Sequence, residues 1–192
     1  EFEPKLGKDN DVDDKTRRLI TLMHKAIAIL QFKVEGELFI KHPEWNMADR
    51  LLFNHINYTD GTIDIDGKQY ELRSNNFVTI DPKEPYRLSA EEEDLMEKLV
   101  HTFRVSEKLH KHIRLLLQHG CMYAEFNNNL LFHASIPLNE DGTLKEVEVT
   151  PGKKYKGKDL LYNIGMLIRK AFQEDATPKE RKYATDYFLY LW

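Results

Sequence analysis

Residues 121–142, CMYAEFNNNLLFHASIPLNEDG, restrict the fold more than any other stretch of the chain. The pattern reads as two strands joined by an asparagine turn. Leu130, Leu131 and Phe132 form a short continuous apolar run, as expected of a strand buried on both faces. His133 closes that strand, and Asn139-Glu140-Asp141-Gly142 forms the next turn. In open α/β sheets working residues gather where strands end, because the backbone there opens into a crevice. A histidine so placed can bind a metal, move a proton or fill a polar gap in the core. The residues alone favour the third role.

The 192 residues suffice for a core in one large domain or two small ones. A hydrophobic content of 41% beside a charged content of 31% describes a globular chain rather than a disordered one. The net charge of −4, with acids and bases interspersed, argues against a nucleic-acid-binding surface. Cys121 is the single cysteine, so no internal disulfide can form, and its apolar neighbours predict a buried thiol in a reducing compartment. No apolar run approaches the roughly 20 residues of a membrane-spanning helix. The opening EFEPKLGKDNDVDD is too acidic and polar for a signal peptide, so the expected location is cytoplasmic. Glu1 in place of methionine and the apolar ending Tyr190-Leu191-Trp192 read as a piece excised from a longer protein.

Leu19, Leu22, Met23, Ala26, Ile27 and Leu30 recur at helical spacing, which predicts an amphipathic helix capped by Asp13 or Asp14 and ending before His42-Pro43. A shorter helix is expected from Met47 to His55, with Leu51, Leu52 and Ile56 as its buried edge. Ile63 and Ile65 alternate with polar residues up to Asp66-Gly67, and Tyr70 and Leu72 alternate beyond it, the pattern of a tight β-hairpin. Asp81-Pro82-Lys83-Glu84-Pro85 is a rigid connector. Ser89 and Glu92 form a capping box for a helix that directs Leu95, Leu99 and Phe103 inward. A further helix after Ser106 carries Leu109, Ile113, Leu116 and Leu117 on one face and ends at Gly120 in the C′ position. Leu144 to Val149 is a strand candidate. Asp159 opens a helix with Leu160, Ile164, Leu167, Ile168 and Ala171 inward, and Thr177-Pro178-Lys179-Glu180 is a second capping box.

Chemistry-bearing residues are sparse. On a helix the two imidazoles of His110-Lys111-His112 point about 200° apart and cannot share one metal ion. Asn54-His55 has the residue pair of some metal-dependent phosphatase sites without the glycine and acid that accompany it there. Lys153, Lys154, Lys156 and Lys158 crowd a glycine-containing loop before a helix, where a phosphate can bind, but the pattern is no Walker loop and reads as a solvated basic turn. The acidic run Glu91 to Asp94 suits a helix start. The residues by themselves describe an α+β protein with one histidine of interest.

At NLLFHASIPLNEDG the chain closely resembles the class III (Firmicutes-type) fructose-1,6-bisphosphatases, relatives of the calcineurin-like metallophosphoesterases. The resemblance extends upstream through AIAILQFKVEG, GTIDIDGKQYEL, TIDPKEPYRLSAEEEDLMEKLVHTF and SEKLHKHIR, and downstream through KKYKGKDLL and DYFLYLW. It implies a gluconeogenic hydrolase of the 1-phosphate of fructose 1,6-bisphosphate that uses a binuclear manganese site. It also implies a layered α/β metallophosphoesterase core interrupted by extra segments. On that basis residues 1–105 correspond to a family-specific helical and hairpin insertion, and residues 106–192 to part of the catalytic core.

In related phosphatases a histidine ending an apolar strand of this kind is a metal ligand, and the position carried over is His133. The other ligand motifs of the superfamily (D-x-H, G-D-x-x-D-R-G, G-N-H-D/E and a later glycine-histidine) do not occur in the chain. One histidine cannot hold two ions. The expectation is that the fragment alone carries no manganese pair and is inactive, and that its uncovered core faces lead to self-association. The alternative from another functional class is a non-catalytic interaction or regulatory module of a larger protein.

Overall fold

Helix α1 runs over Asp14–Lys41 in the computed structural model, which describes residues 13–133 and 135–191. Asp13 caps it as expected, its carboxylate accepting from the Thr16 amide at 2.9 Å. The His42 amide closes the other end on Leu38 and Phe39, just ahead of Pro43. The stripe of Leu19, Leu22, Met23 and Ile27, expected to be buried, is exposed. The buried residues of α1 are Leu30, Lys33, Gly36 and Leu38, all in its second half. The chain divides into two compact units between Thr102 and Phe103.

In the first unit the helix expected from Met47 to His55 is absent. Two short 3-10 turns, Ala48–Arg50 and Leu52–His55, take its place. Tertiary hydrogen bonds hold the backbone here. The Phe53 amide donates to the Tyr86 hydroxyl at 3.1 Å, and the Tyr58 hydroxyl donates to the Phe53 carbonyl at 3.0 Å. With the peptide groups of Phe53 satisfied from outside and the Arg50, Leu51 and Asn54 amides bonded in 3-10 fashion, the segment has no need of the helical ladder. The Phe53 ring forms the core with Ile80 and Tyr86, stacking on Tyr86 at 5.5 Å and meeting Phe32 edge-on at 5.8 Å. Burial pushes the Tyr58 phenol up to about 12 and raises that of Tyr86 as well.

The ring of Tyr86 fits because α1 carries glycine at position 36, where a Cβ would lie 2.1 Å from a ring carbon. Strands β1 (Ile56–Asn57), β2 (Thr62–Ile65) and β3 (Lys68–Glu71) form an antiparallel sheet in that order. Asp66 and Gly67 both adopt positive φ in the β2–β3 turn, as their sequence predicts.

Helix α2 (Ala90–Arg104) starts on the expected capping box. The Ser89 amide donates to Glu92 at 2.8 Å and the Glu92 amide to the Ser89 hydroxyl at 3.3 Å. The Glu92 carboxylate has a further role, which periodicity does not disclose. It receives Lys33 Nζ at 2.6 Å, and that same Nζ donates to the Thr79 carbonyl at 2.6 Å. Lys33 is 0% exposed. Burial pushes the Glu92 carboxyl up, but hydrogen bonds from Lys33, Thr79 and Ser89, with the charge of Lys33, bring it below the ordinary value. Of the side chains expected inward on α2, Leu99 is half-buried, whereas Leu95 and Phe103 are exposed.

The second unit begins with α3 (Glu107–His119), capped by Ser106. Gly120 ends it in an extended conformation rather than the left-handed one expected of a C′ glycine. Its amide meets the Leu116 carbonyl at 2.8 Å, and a Cβ there would lie 2.4 Å from that oxygen, so close approach explains the glycine. Strands β4 (Tyr123–Phe126) and β5 (Asn129–Phe132) pair antiparallel, and β6 (Val147–Thr150) pairs with β7 (Lys153–Tyr155). The strand expected over 144–149 thus lies slightly later, with Leu144 bridged to Leu138 across the Asn139–Gly142 turn.

Helix α4 (Gly157–Lys170) starts two residues before the expected Asp159, and α5 (Pro178–Tyr190) starts on the predicted Thr177–Glu180 box. Leu160, Leu161, Ile164 and Leu167 of α4, Ala184 and Tyr187 of α5, and Val149 of β6 are buried. Burial raises the Tyr187 phenol strongly. Among the described residues the fold is mixed α+β, with five α-helices and three small antiparallel sheets.

Candidate functional site

The β4–β5 hairpin carries the residue singled out by the sequence. Asn127 and Asn128 take φ values of 47° and 59°, a tight turn that pairs Tyr123 with Phe132 and Glu125 with Leu130. His133 follows β5 directly, in a bend, and is exposed. The core-filling role is therefore excluded within this chain. The adjoining side chains are also more open than an apolar run predicts, since Leu131 and Phe132 are exposed and Leu130 is half-buried. Cys121, expected as a buried thiol, is exposed. A two-stranded hairpin has nothing to lay against both of its faces at once, so its apolar residues stay open until further structure covers them.

A cleft of ≈450 Å³ lies beside β4, walled by Cys121, Tyr123, Glu125, Lys158, Tyr162 and Arg169 among others. Lys158 and Glu125 pair at its rim, and the Lys158 ammonium lies 5.6 Å from the centre of the Tyr123 ring. The hydrogen bond to Glu125, then its charge, raises the Lys158 pKa. In the sequence Lys158 stands only as one of a basic cluster, and nothing in the spacing pairs it with a strand residue 33 positions earlier. The rest of the cluster is dispersed. Lys153 and Lys154 lie on β7, with Lys154 opposite Glu148, and Lys156 is 4.0 Å from Glu146. These lysines do not converge on a phosphate cradle.

Arg169 was not singled out for chemistry, and its work is to hold the cleft floor. Its guanidinium donates to the carbonyls of Leu117 at 3.2 Å, Gly165 at 3.1 Å and Gly120 at 2.6 Å, tying α4 to the end of α3. Three donors in a fixed planar fork suit three carbonyls in a way a lysine cannot match. His110, Lys111 and His112 are exposed on α3, as expected from their spacing, and Asn54 and His55 are exposed in a 3-10 turn.

A binuclear manganese site needs several nitrogen and oxygen ligands around each ion. Among the described residues no three of histidine, cysteine, aspartate or glutamate come together so as to hold a metal ion. His133 offers one accessible imidazole, and the described residues group no set of ligands around it, so they do not by themselves fit a metal pair. Among the described residues, no helix is long and apolar enough to cross a membrane.

Relatives place this hairpin in a larger context. The chain is 53% identical over 192 residues to the fructose-1,6-bisphosphatase class 3 of Parabacteroides distasonis. It is 50% identical over 191 residues to that of Clostridium acetobutylicum, and 48% over 192 to that of Bacteroides fragilis strain ATCC 25285. Each match covers 100% of the chain and 29% of the relative, so the chain spans less than a third of the length of these proteins. No solved structure matches it. The sequence pattern of the Firmicute fructose-1,6-bisphosphatases matches residues 1–192 without a break, and the chain belongs to that family.

Proposed function

We propose that the chain is part of an enzyme that hydrolyses the 1-phosphate of fructose 1,6-bisphosphate in gluconeogenesis. The observation that carries this is the family match along all 192 residues, with relatives near 50% identity named as fructose-1,6-bisphosphatase class 3. The proposed cofactor of the full-length enzyme is a manganese pair, with His133 as the one ligand from this chain. When bound, such a pair clamps phosphoryl oxygens and lowers the pKa of a bridging water. No step of the hydrolysis is assigned to the residues of this chain, because they do not complete the centre. Support for His133 comes from its accessible position at the end of β5, where its imidazole is open to ligands from elsewhere. Residues 106–192 are assigned to a layered metallophosphoesterase core, and residues 1–105 to an insertion. The expected location of the enzyme is the cytoplasm.

The test is His133→Ala in the full-length enzyme. Loss of a coordinating imidazole lowers manganese content measured by mass spectrometry and reduces turnover by about 100-fold or more. Unchanged metal content and activity remove His133 from the site.

A second reading, with residues 1–105 as an interaction module, is favoured by the exposed stripe Leu19, Leu22, Met23 and Ile27 on α1. The two readings are compatible, since an insertion can bind a partner while the core performs chemistry.

A further inference from the structure

The chain exposes far more surface than its mass requires. Its accessible area is 15255 Å² at 22.7 kDa. A compact monomer of that mass exposes about 9,500 Å², and two separate compact domains of half the mass about 11,500 Å² together. Assigning every residue outside the described set the full area of an unfolded chain still leaves an excess of about 2,000 Å². The excess is larger than the roughly 800 Å² per partner of a standard interface and falls in the range of obligate ones.

Large apolar side chains of the second unit are open on α3 and on the hairpin that follows it. Leu116 is 67% exposed and Phe126 68%, and Leu131 and Phe132 are also open. A groove of ≈280 Å³ lies among the helices, lined by Ile113, Leu116, Leu117, Ile168, Phe172 and Phe188, with Cys121, just ahead of β4, at its border. Between them β4 and β5 make only one two-stranded sheet, which is marginal on its own and gains stability from further strands or a covering layer.

We propose that this face, made of the α3–α4–α5 groove and the β4–β5 hairpin, is the seam on which the rest of the same full-length polypeptide docks. The occupant follows from length. Family members carry 71% of their residues outside the matched segment, enough chain to supply both the missing strands and an apolar layer over the groove. A second copy could cover the face only by turning its own identical face onto it, a contact of like with like that the mass of a crosslinked product distinguishes. The seam depends on family membership and chain length, not on the phosphatase reading.

The test places benzoylphenylalanine at position 116 of the full-length protein and irradiates it. The expected product runs at monomer mass on a denaturing gel, with the crosslinked peptide drawn from sequence outside residues 1–192. A product at dimer mass assigns the face to a second copy and overturns the proposal, and absence of any crosslink shows an open face and does the same. Alkylation of Cys121 in the unsubstituted protein, read by peptide mapping, gives a second measure that needs no variant. Cover slows labelling by about 100-fold against the protein in urea, whereas a rate within about tenfold of the urea value overturns the seam. Neither readout involves turnover, so failure of His133→Ala to affect activity leaves both intact.

Discussion

Lys33→Met isolates the buried pair that ties α1 to α2. The methionine keeps the volume of the lysine stem and removes only the ammonium. Glu92 is then left as a largely buried carboxylate without its counter-ion, and the Thr79 carbonyl loses the donor at 2.6 Å. Removing one partner of a buried ion pair costs about 3–5 kcal/mol. A unit of roughly 100 residues has a total stability of about 5–15 kcal/mol, so the loss is a large fraction of the whole. Urea unfolding, followed by circular dichroism at 222 nm and by Trp45 fluorescence, should show a midpoint lowered by roughly 2–3 M at pH 7.

Two further outcomes distinguish lost charge pairing from general damage. In the wild type the Glu92 pKa is depressed in the fold, so its contribution is complete above the unfolded value near ~4.3 and disappears as pH falls through the folded one. In Lys33→Met burial is no longer opposed by the ammonium, the folded pKa rises, and the variant gains stability relative to wild type as pH falls from 7 toward 4.5. The gap between the two proteins therefore narrows on acidification. The double variant Lys33→Met with Glu92→Met replaces the pair by apolar groups and recovers all but about 1 kcal/mol, the residue being the lost capping contact with Ser89. A single variant within about 1 kcal/mol of wild type, or a double variant no better than the single, refutes the reasoning.

Gly36→Ala sets a helix-propensity gain of about 1 kcal/mol against a Cβ placed 2.1 Å from the Tyr86 ring. The rigid, buried ring cannot step aside without leaving Phe53, so a net loss of about 2 kcal/mol is expected, with a lower Tm and a changed near-ultraviolet tyrosine signal. Arg169→Met leaves the Leu117, Gly120 and Gly165 carbonyls without their shared donor and costs about 1.5–3 kcal/mol in thermal unfolding. Arg169→Lys recovers only part of it, and a lysine variant as stable as wild type contradicts the fork geometry.

Local signals in the sequence carried through to the structure where the atoms that decide them are neighbours in the chain. Ser89 with Glu92, Thr177 with Glu180, Asp66 with Gly67 and the Asn127-Asn128 turn are all set within four residues, and each is present. Signals about burial fared worse. Apolar periodicity on α1 and the Leu130-Leu131-Phe132 run record which side chains seek cover, but not whether this chain provides it. Segment 47–55 failed for a related reason. Its helical spacing is real, yet Phe53 answers to two tyrosine hydroxyls, one of them 33 residues away, and those are invisible to a local pattern. Lys33 is the converse, a charged residue that no local pattern marks for burial, fully buried because Glu92, 59 positions later, and the Thr79 carbonyl meet its charge.

The proposed ligand and the proposed seam meet on one strand. β5 carries Leu131 and Phe132, whose side chains are open, and hands the chain directly to His133, whose imidazole is open as well. An isolated hairpin fixes its backbone through one ladder only, so the bend that bears His133 has support from one side. Docking of further polypeptide on the hairpin would supply two things at once. It would bury the apolar side chains that the sequence places there, and it would bring co-ligands to a histidine around which the described residues gather no metal-binding group. On the proposed seam, exposure of His133 and exposure of its strand have one physical cause, the lack of the polypeptide that would cover both. The histidine is legible as a candidate site only through resemblance, since the proposed metal chemistry needs ligands that the described residues do not group around it.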